Sequence, residues 1–218
     1  MRKFQSTIAT AALALGLAGC GPGETANDTA AKGDARAEAG MNSMMNNPAN
    51  PFAQSEMTMQ QGMMAAVGAD VSDTWAKMMI EHHKGAIAMS EIVLQNNPRA
   101  AVRSMAQDVI TKQGKEVDEL TKLLRAGAAP DTASAQSYQQ AMMKMHEAMT
   151  AAKGSDVSDT YLHKMLEHHR GAVAMSEVVL GQTKDAKIRA AAEKIRVDQS
   201  KEIAMVEAML RDAAKTSG

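Results

Sequence analysis

Met79-Ile80-Glu81-His82-His83-Lys84-Gly85-Ala86-Ile87-Ala88-Met89-Ser90-Glu91-Ile92-Val93-Leu94 decides how this chain is read, because it occurs twice. It returns as Met165-Leu166-Glu167-His168-His169-Arg170-Gly171-Ala172-Val173-Ala174-Met175-Ser176-Glu177-Val178-Val179-Leu180, at a constant offset of 86 positions. Twelve of the 16 pairs are identical and the other four are conservative. The next segment, 98–124 against 184–210, keeps the offset but only 7 of 27 identities. The His-His stretch has been held more tightly than the helix after it. Upstream, Phe52 aligns with Tyr138, and Asp70-Val71-Ser72-Asp73-Thr74 with Asp156-Val157-Ser158-Asp159-Thr160. The copies span 52–124 and 138–210, too long and too few for a solenoid array. They describe a duplicated helical hairpin.

Helix punctuation supports this. Ser72 and Ser158 are candidate N-caps, and Asp73 and Asp159 place negative charge at a helix N-terminus. The first long helix is expected to run to Asn96-Asn97, where Pro98 forbids continuation and suits a new first turn. The second is expected to reach about Arg125, with Gly127 and Pro130 as stops. In the second copy Gly181 marks the break, and the last helix is expected to end near Ala213. Two shorter Met-rich helices, near 54–66 and 136–152, precede the hairpins. No run rich in β-branched and aromatic residues argues for strands. The expected fold is all-α: a four-helix bundle from a duplicated hairpin, with two short flanking helices. Aromatic residues make up only 2% of the chain against 20 methionines, so packing falls to Ala, Leu, Ile, Val and Met.

The ends point to export. Arg2 and Lys3 precede an apolar stretch, Ile8 to Gly19, that is too short to span a bilayer. It closes on Leu17-Ala18-Gly19-Cys20, which resembles a bacterial lipobox. Residues 1–19 then read as a lipoprotein signal, with Cys20, the sole cysteine, as a lipid anchor. Residues 20–50 read as a flexible tether of small and polar residues. The folded domain covers 52–214. Loss of Arg2 and Lys3 moves the formal charge from −1 to −3, which leaves no basic face for nucleic acid.

Each helical residue turns about 100°. His82 therefore sits mid-face among Trp75, Met78, Met79, Ala86, Met89 and Val93. His83 lies on the flank with Ile80, Ile87 and Leu94. His168 repeats the pattern among Tyr161, Met165, Ala172, Met175 and Val179. An apolar stripe at this spacing is ordinarily core, and Met often fills gaps there. A paired imidazole in both copies is harder to explain that way, because buried polar groups without partners are costly. Thioether and imidazole together suit Cu(I) better than Mg, Ca or Mn. Met142, Met145, His146 and Met149 share a second helix face, and Met41, Met44 and Met45 cluster in the tether.

His82-His83-x-x-Ala86-x-x-Met89 and His168-His169-x-x-Ala172-x-x-Met175 resemble the signature of the bacterial family called domain of unknown function 305. The resemblance covers about 70–213. It implies an exported, ferritin-like four-helix bundle, and some Met- and His-rich members are implicated in periplasmic copper binding. Di-iron chemistry is not implied, since no Glu-x-x-His occurs here.

The expected function is an extracytoplasmic, membrane-tethered, non-catalytic protein that binds copper, as Cu(I), for sequestration or handling. Its expected ligands are Met79, His82, His83, Met89, Met165, His168, His169 and Met175, with Met142, His146 and Met149 as secondary candidates. Its partners are the metal ion and the membrane; a homo-oligomer stays open. The alternative is a metal-free envelope scaffold or sensor with core histidines.

Overall fold

The computed structural model describes residues 50–216. The signal segment, Cys20, the tether and its three methionines lie outside the described residues. Six helices follow: α1 Ala53–Ala65, α2 Val71–Gln95, α3 Ala100–Thr121, α4 Thr132–Ala151, α5 Val157–Gln182 and α6 Ala186–Thr216. The described residues contain no strand, so the chain is an all-α helical bundle. None of the described helices is long and apolar enough to cross a membrane.

The repeated Asp-Val-Ser-Asp-Thr segment starts both motif helices, α2 and α5, though not through its serines. Asp70 takes an extended backbone, and its carboxylate accepts from the amides of Ser72 and Asp73 at 2.9 and 3.0 Å. Asp156 accepts from the Asp159 amide at 2.7 Å. A carboxylate one residue before the first turn reaches these free N–H groups directly. The serines serve elsewhere. Ser72 Oγ meets Thr183 Oγ1 at 2.7 Å, and Ser158 Oγ accepts from the Arg99 amide at 3.1 Å. Each bond joins the start of one motif helix to the turn after the other, so α2 and α5 run antiparallel about a pseudo-twofold axis. Thr74 and Thr160 accept from the amides of Gly68 and Gly154 at 2.9 and 3.1 Å. A Cβ at either glycine would meet the threonine amide nitrogen at 2.3 or 2.4 Å, which fixes glycine at both positions.

Other boundaries differ from the sequence reading. α3 stops at Thr121, and α5 runs through Gly181 to Gln182, since one glycine costs only about 1 kcal/mol inside a well-packed helix. α6 reaches Thr216. α4 begins at Thr132, where Asp131 caps it, and its 20 residues make it no short element.

Each Met-rich helix packs on its own motif helix, α1 on α2 and α4 on α5. The motif helices pack on each other and on α3 and α6 respectively. Gly85 and Gly171 let the Met-rich helices α1 and α4 approach closely. A Cβ there would lie 2.4 Å from Met59 Sδ and 2.2 Å from Met145 Sδ. Trp75, Met79, Met89 and Val93 meet Tyr161, Met165, Met175 and Val179 in one buried core. Burying a large apolar side chain contributes about 1.5–3 kcal/mol, so this seam holds the halves together.

Candidate metal centre

The pseudo-twofold axis brings the two His-His pairs together. His82 Nε2 lies 3.1 Å from the main-chain oxygen of His168, and His168 Nε2 lies 2.9 Å from that of His82. Their rings stack at 3.5 Å with 30° between planes. Both side chains are fully buried. A carbonyl oxygen only accepts, so Nε2 carries the ring hydrogen in both residues. Each Nδ1 then holds a bare lone pair, and neither has a hydrogen-bond partner. Burial, reinforced by the neighbouring imidazoles, holds both rings well below the usual histidine range. These are two neutral imidazoles in a buried core, each with one nitrogen fixed and the other open.

His83 and His169 turn away from the axis toward the following helices. His83 Nε2 lies 3.0 Å from Glu116 Oε2 on α3, and His169 Nε2 lies 3.7 Å from Glu202 Oε2 on α6. Neither contact is aligned as a hydrogen bond, and both nitrogens of both rings lack partners. The outer carboxylate oxygens are held across the bundle, Glu116 by Lys194 at 2.7 Å and Glu202 by Lys112 at 3.4 Å. Burial pushes the Glu116 carboxyl up, but His83 and Lys194 outweigh it and bring the group to about 2. At Glu202 burial prevails over the more distant Lys112, and the carboxyl is raised. Burial lowers His169 to about 4; Gln199 and the Glu116 charge oppose it only in part.

Glu116 and Glu202 were not among the residues expected at the site. The signal was present: they lie 86 positions apart, as do Gln113 and Gln199. Both pairs are among the seven identities left in the drifted helices. A cleft of about 530 Å³ between α3 and α6 opens onto both glutamates.

The expected methionines are placed less simply. Met79, Met89, Met165 and Met175 are all buried in the core around the axis. The secondary face is divided: Met149 is buried, Met142 half-buried and His146 exposed. Met142 instead lines a groove with Met64, Met78 and Met143. At the pseudo-equivalent place in the other half, Glu56 and Lys164 form a buried ion pair at 2.7 Å. Among the described residues, no three His, Cys, Asp or Glu side chains are already arranged to hold a metal ion. The donors are gathered as pairs.

The family model described as Domain of unknown function (DUF305) matches this chain twice, over residues 22–124 and 72–210. No curated protein matches. Among solved structures, a DUF305 fragment from Deinococcus radiodurans is similar at 22% identity and a TM-score of 0.50. The alignment covers 65% of this chain and 96% of that one, a likeness of fold alone. With the doubled motif, the antiparallel motif helices and both family matches in agreement, the chain belongs to the DUF305 family.

Proposed function

We propose that this protein binds copper as Cu(I) outside the cytoplasm, tethered to a membrane through Cys20, and sequesters or hands on the ion without catalysis. The observation that carries the reading is the pair of stacked, neutral imidazoles of His82 and His168. Each has Nε2 anchored on a main-chain carbonyl and Nδ1 unpartnered. A ligating histidine usually donates its other N–H to a carbonyl or carboxylate, and this arrangement supplies that support in advance. Met79, Met89, Met165 and Met175 supply thioethers in the same core, the donor type that favours Cu(I). The groove of Met64, Met78, Met142 and Met143 adds thioethers nearer the surface. Export rests on Leu17-Ala18-Gly19-Cys20.

The test is a competition titration with Cu(I) under reducing conditions. Wild type is expected to bind tighter than about micromolar, and a variant with His82, His83, His168 and His169 changed to Ala to lose at least about tenfold. Equal binding by the two proteins rejects the site. Wild-type binding weaker than about micromolar rejects the function.

The reciprocal carbonyl bonds also favour a second reading, a metal-free envelope scaffold or sensor whose histidines lock α2 to α5. It expects the quadruple variant to lose stability equally with and without Cu(I). A ligand of the folded state instead raises the wild-type melting temperature by mass action.

A further inference from the structure

Among the described residues, seven of the 13 buried side-chain polar atoms without a hydrogen bond belong to four residues around Glu116 and Glu202: His83, His169, Gln113 and Gln199. Buried polar atoms are nearly always paired, so such a concentration calls for water or an ion. Gln113 lies one turn before Glu116 on the same face of α3, and Gln199 repeats this on α6. Gln199 Nε2 donates to Glu202 Oε2 at 3.3 Å, which leaves its own Oε1 unpartnered.

The distances fit an ion. Two donors each about 2.0–2.2 Å from one ion stand about 2.8–3.6 Å apart at tetrahedral to octahedral angles. His83 Nε2 and Glu116 Oε2 stand at 3.0 Å without hydrogen-bond alignment, as two ligands of one ion would. His169 and Glu202, at 3.7 Å, stand just outside that range and need to close slightly. Lys194 and Lys112 hold the outer oxygens from the cleft, which turns the inner oxygens toward the histidines. Both lysines are about half exposed and can swing into the cleft as an ion enters.

We propose that the His83–Glu116 and His169–Glu202 pairs, whose glutamates face the same α3/α6 cleft, are nitrogen–oxygen donor pairs for a divalent first-row ion of the Zn(II) or Cu(II) class. Imidazole and carboxylate suit these ions rather than Cu(I). The pairs are therefore separate in chemistry from the thioether-rich core, although His83 and His169 flank both.

The experiment is a chromophoric competition titration of the full chain with Zn(II). It uses wild type, E116Q/E202Q, and a K112M/K194M variant. Metal-free melts confirm that each is folded. Wild type is expected to bind tighter than about micromolar, and E116Q/E202Q to bind at least about tenfold more weakly. K112M/K194M is expected to bind more tightly, because two competing cations are gone. If E116Q/E202Q does not fold, E202Q alone reads the loss at the His169–Glu202 pair. Zn(II) affinity that is unchanged by the glutamate substitutions, or weaker than about micromolar in wild type, overturns the proposal. A parallel Cu(I) titration separates the two readings. E116Q/E202Q keeps Cu(I) affinity within about threefold if the core thioethers hold that ion. Wild type that fails with Cu(I) but keeps glutamate-dependent Zn(II) binding sinks the copper reading alone.

Discussion

In the first half of the molecule Ser90 donates to the Ala86 carbonyl and meets Tyr161 Oη at 2.7 Å; its counterpart in the second half, Ser176, has no partner. Trp75 stands where a matching tyrosine would be, and its own Nε1 is also unpartnered. Glu116 is gripped at short range by His83 and Lys194, while Glu202 is held loosely. One Met-rich helix, α1, offers Glu56 to Lys164, and the other, α4, offers Met142 beside Met78. His82 and His168, by contrast, are matched, because each completes the other across the axis. Duplication preserved the positions. Drift in a partner then changed how Ser176, Glu202 and the Met78–Met142 place are satisfied, while His82 and His168, each the other's partner, stayed matched.

The buried ion pair gives the largest expected difference between halves. Changing Lys164 to Met leaves Glu56 without its cation, and is expected to cost about 3–5 kcal/mol in chemical denaturation. The double variant E56M/K164M copies the methionines of the other half and is expected to recover most of that loss. A single variant less than about 1 kcal/mol below wild type means the pair is solvated rather than structural.

Acid titrates the shared core next. His169 sits at about 4 in the folded chain against about 6.5 unfolded, so the unfolded chain takes up protons first as pH falls. Metal-free stability is therefore full above about pH 6.5 and is lost toward pH 4, by roughly 3 kcal/mol from His169. His82 and His168, also lowered, add in the same direction. Glu116, lowered from 4.5 to about 2, extends the loss below pH 4.5. A flat stability profile from pH 7 to pH 4.5 contradicts neutral burial of these rings.

The two glutamates should part company at pH 7. E116Q removes a carboxylate that its partners stabilise, and is expected to cost about 2 kcal/mol. E202Q relieves a charge that burial disfavours, and is expected to be neutral or slightly stabilising. Equal losses measured by urea unfolding erase the asymmetry. Smallest is the serine comparison: S90A is expected to cost about 1 kcal/mol, and S176A close to nothing.

Much of the fold was legible. The repeat offset set the pairing of halves, and Pro98 and the Asp-Val-Ser-Asp-Thr segments located the turns. The caps were misplaced because Asp70 and Ser72 both have cap chemistry, and only the backbone at Asp70 distinguishes them. Gly181 reads as a break, but one exposed glycine costs the helix too little to end it there. At the site, the helical angle correctly set His82 on the inner face and His83 on the flank. The face of α3 that meets His83 was overlooked, because seven scattered identities look like drift until Gln113 and Glu116 are seen one turn apart. The exchange of carbonyl bonds between His82 and His168 depends on how closely two antiparallel helices approach, which no local pattern carries.

The central claim concerns two nitrogens, and imidazole ¹⁵N resonances report them directly. In the metal-free protein His82 and His168 should show protonated Nε2 and bare Nδ1. On addition of Ag(I), a redox-inert stand-in for Cu(I), the Nδ1 resonances of these two residues should shift while Nε2 stays protonated. Binding of the ion with no change at either Nδ1 would contradict the account.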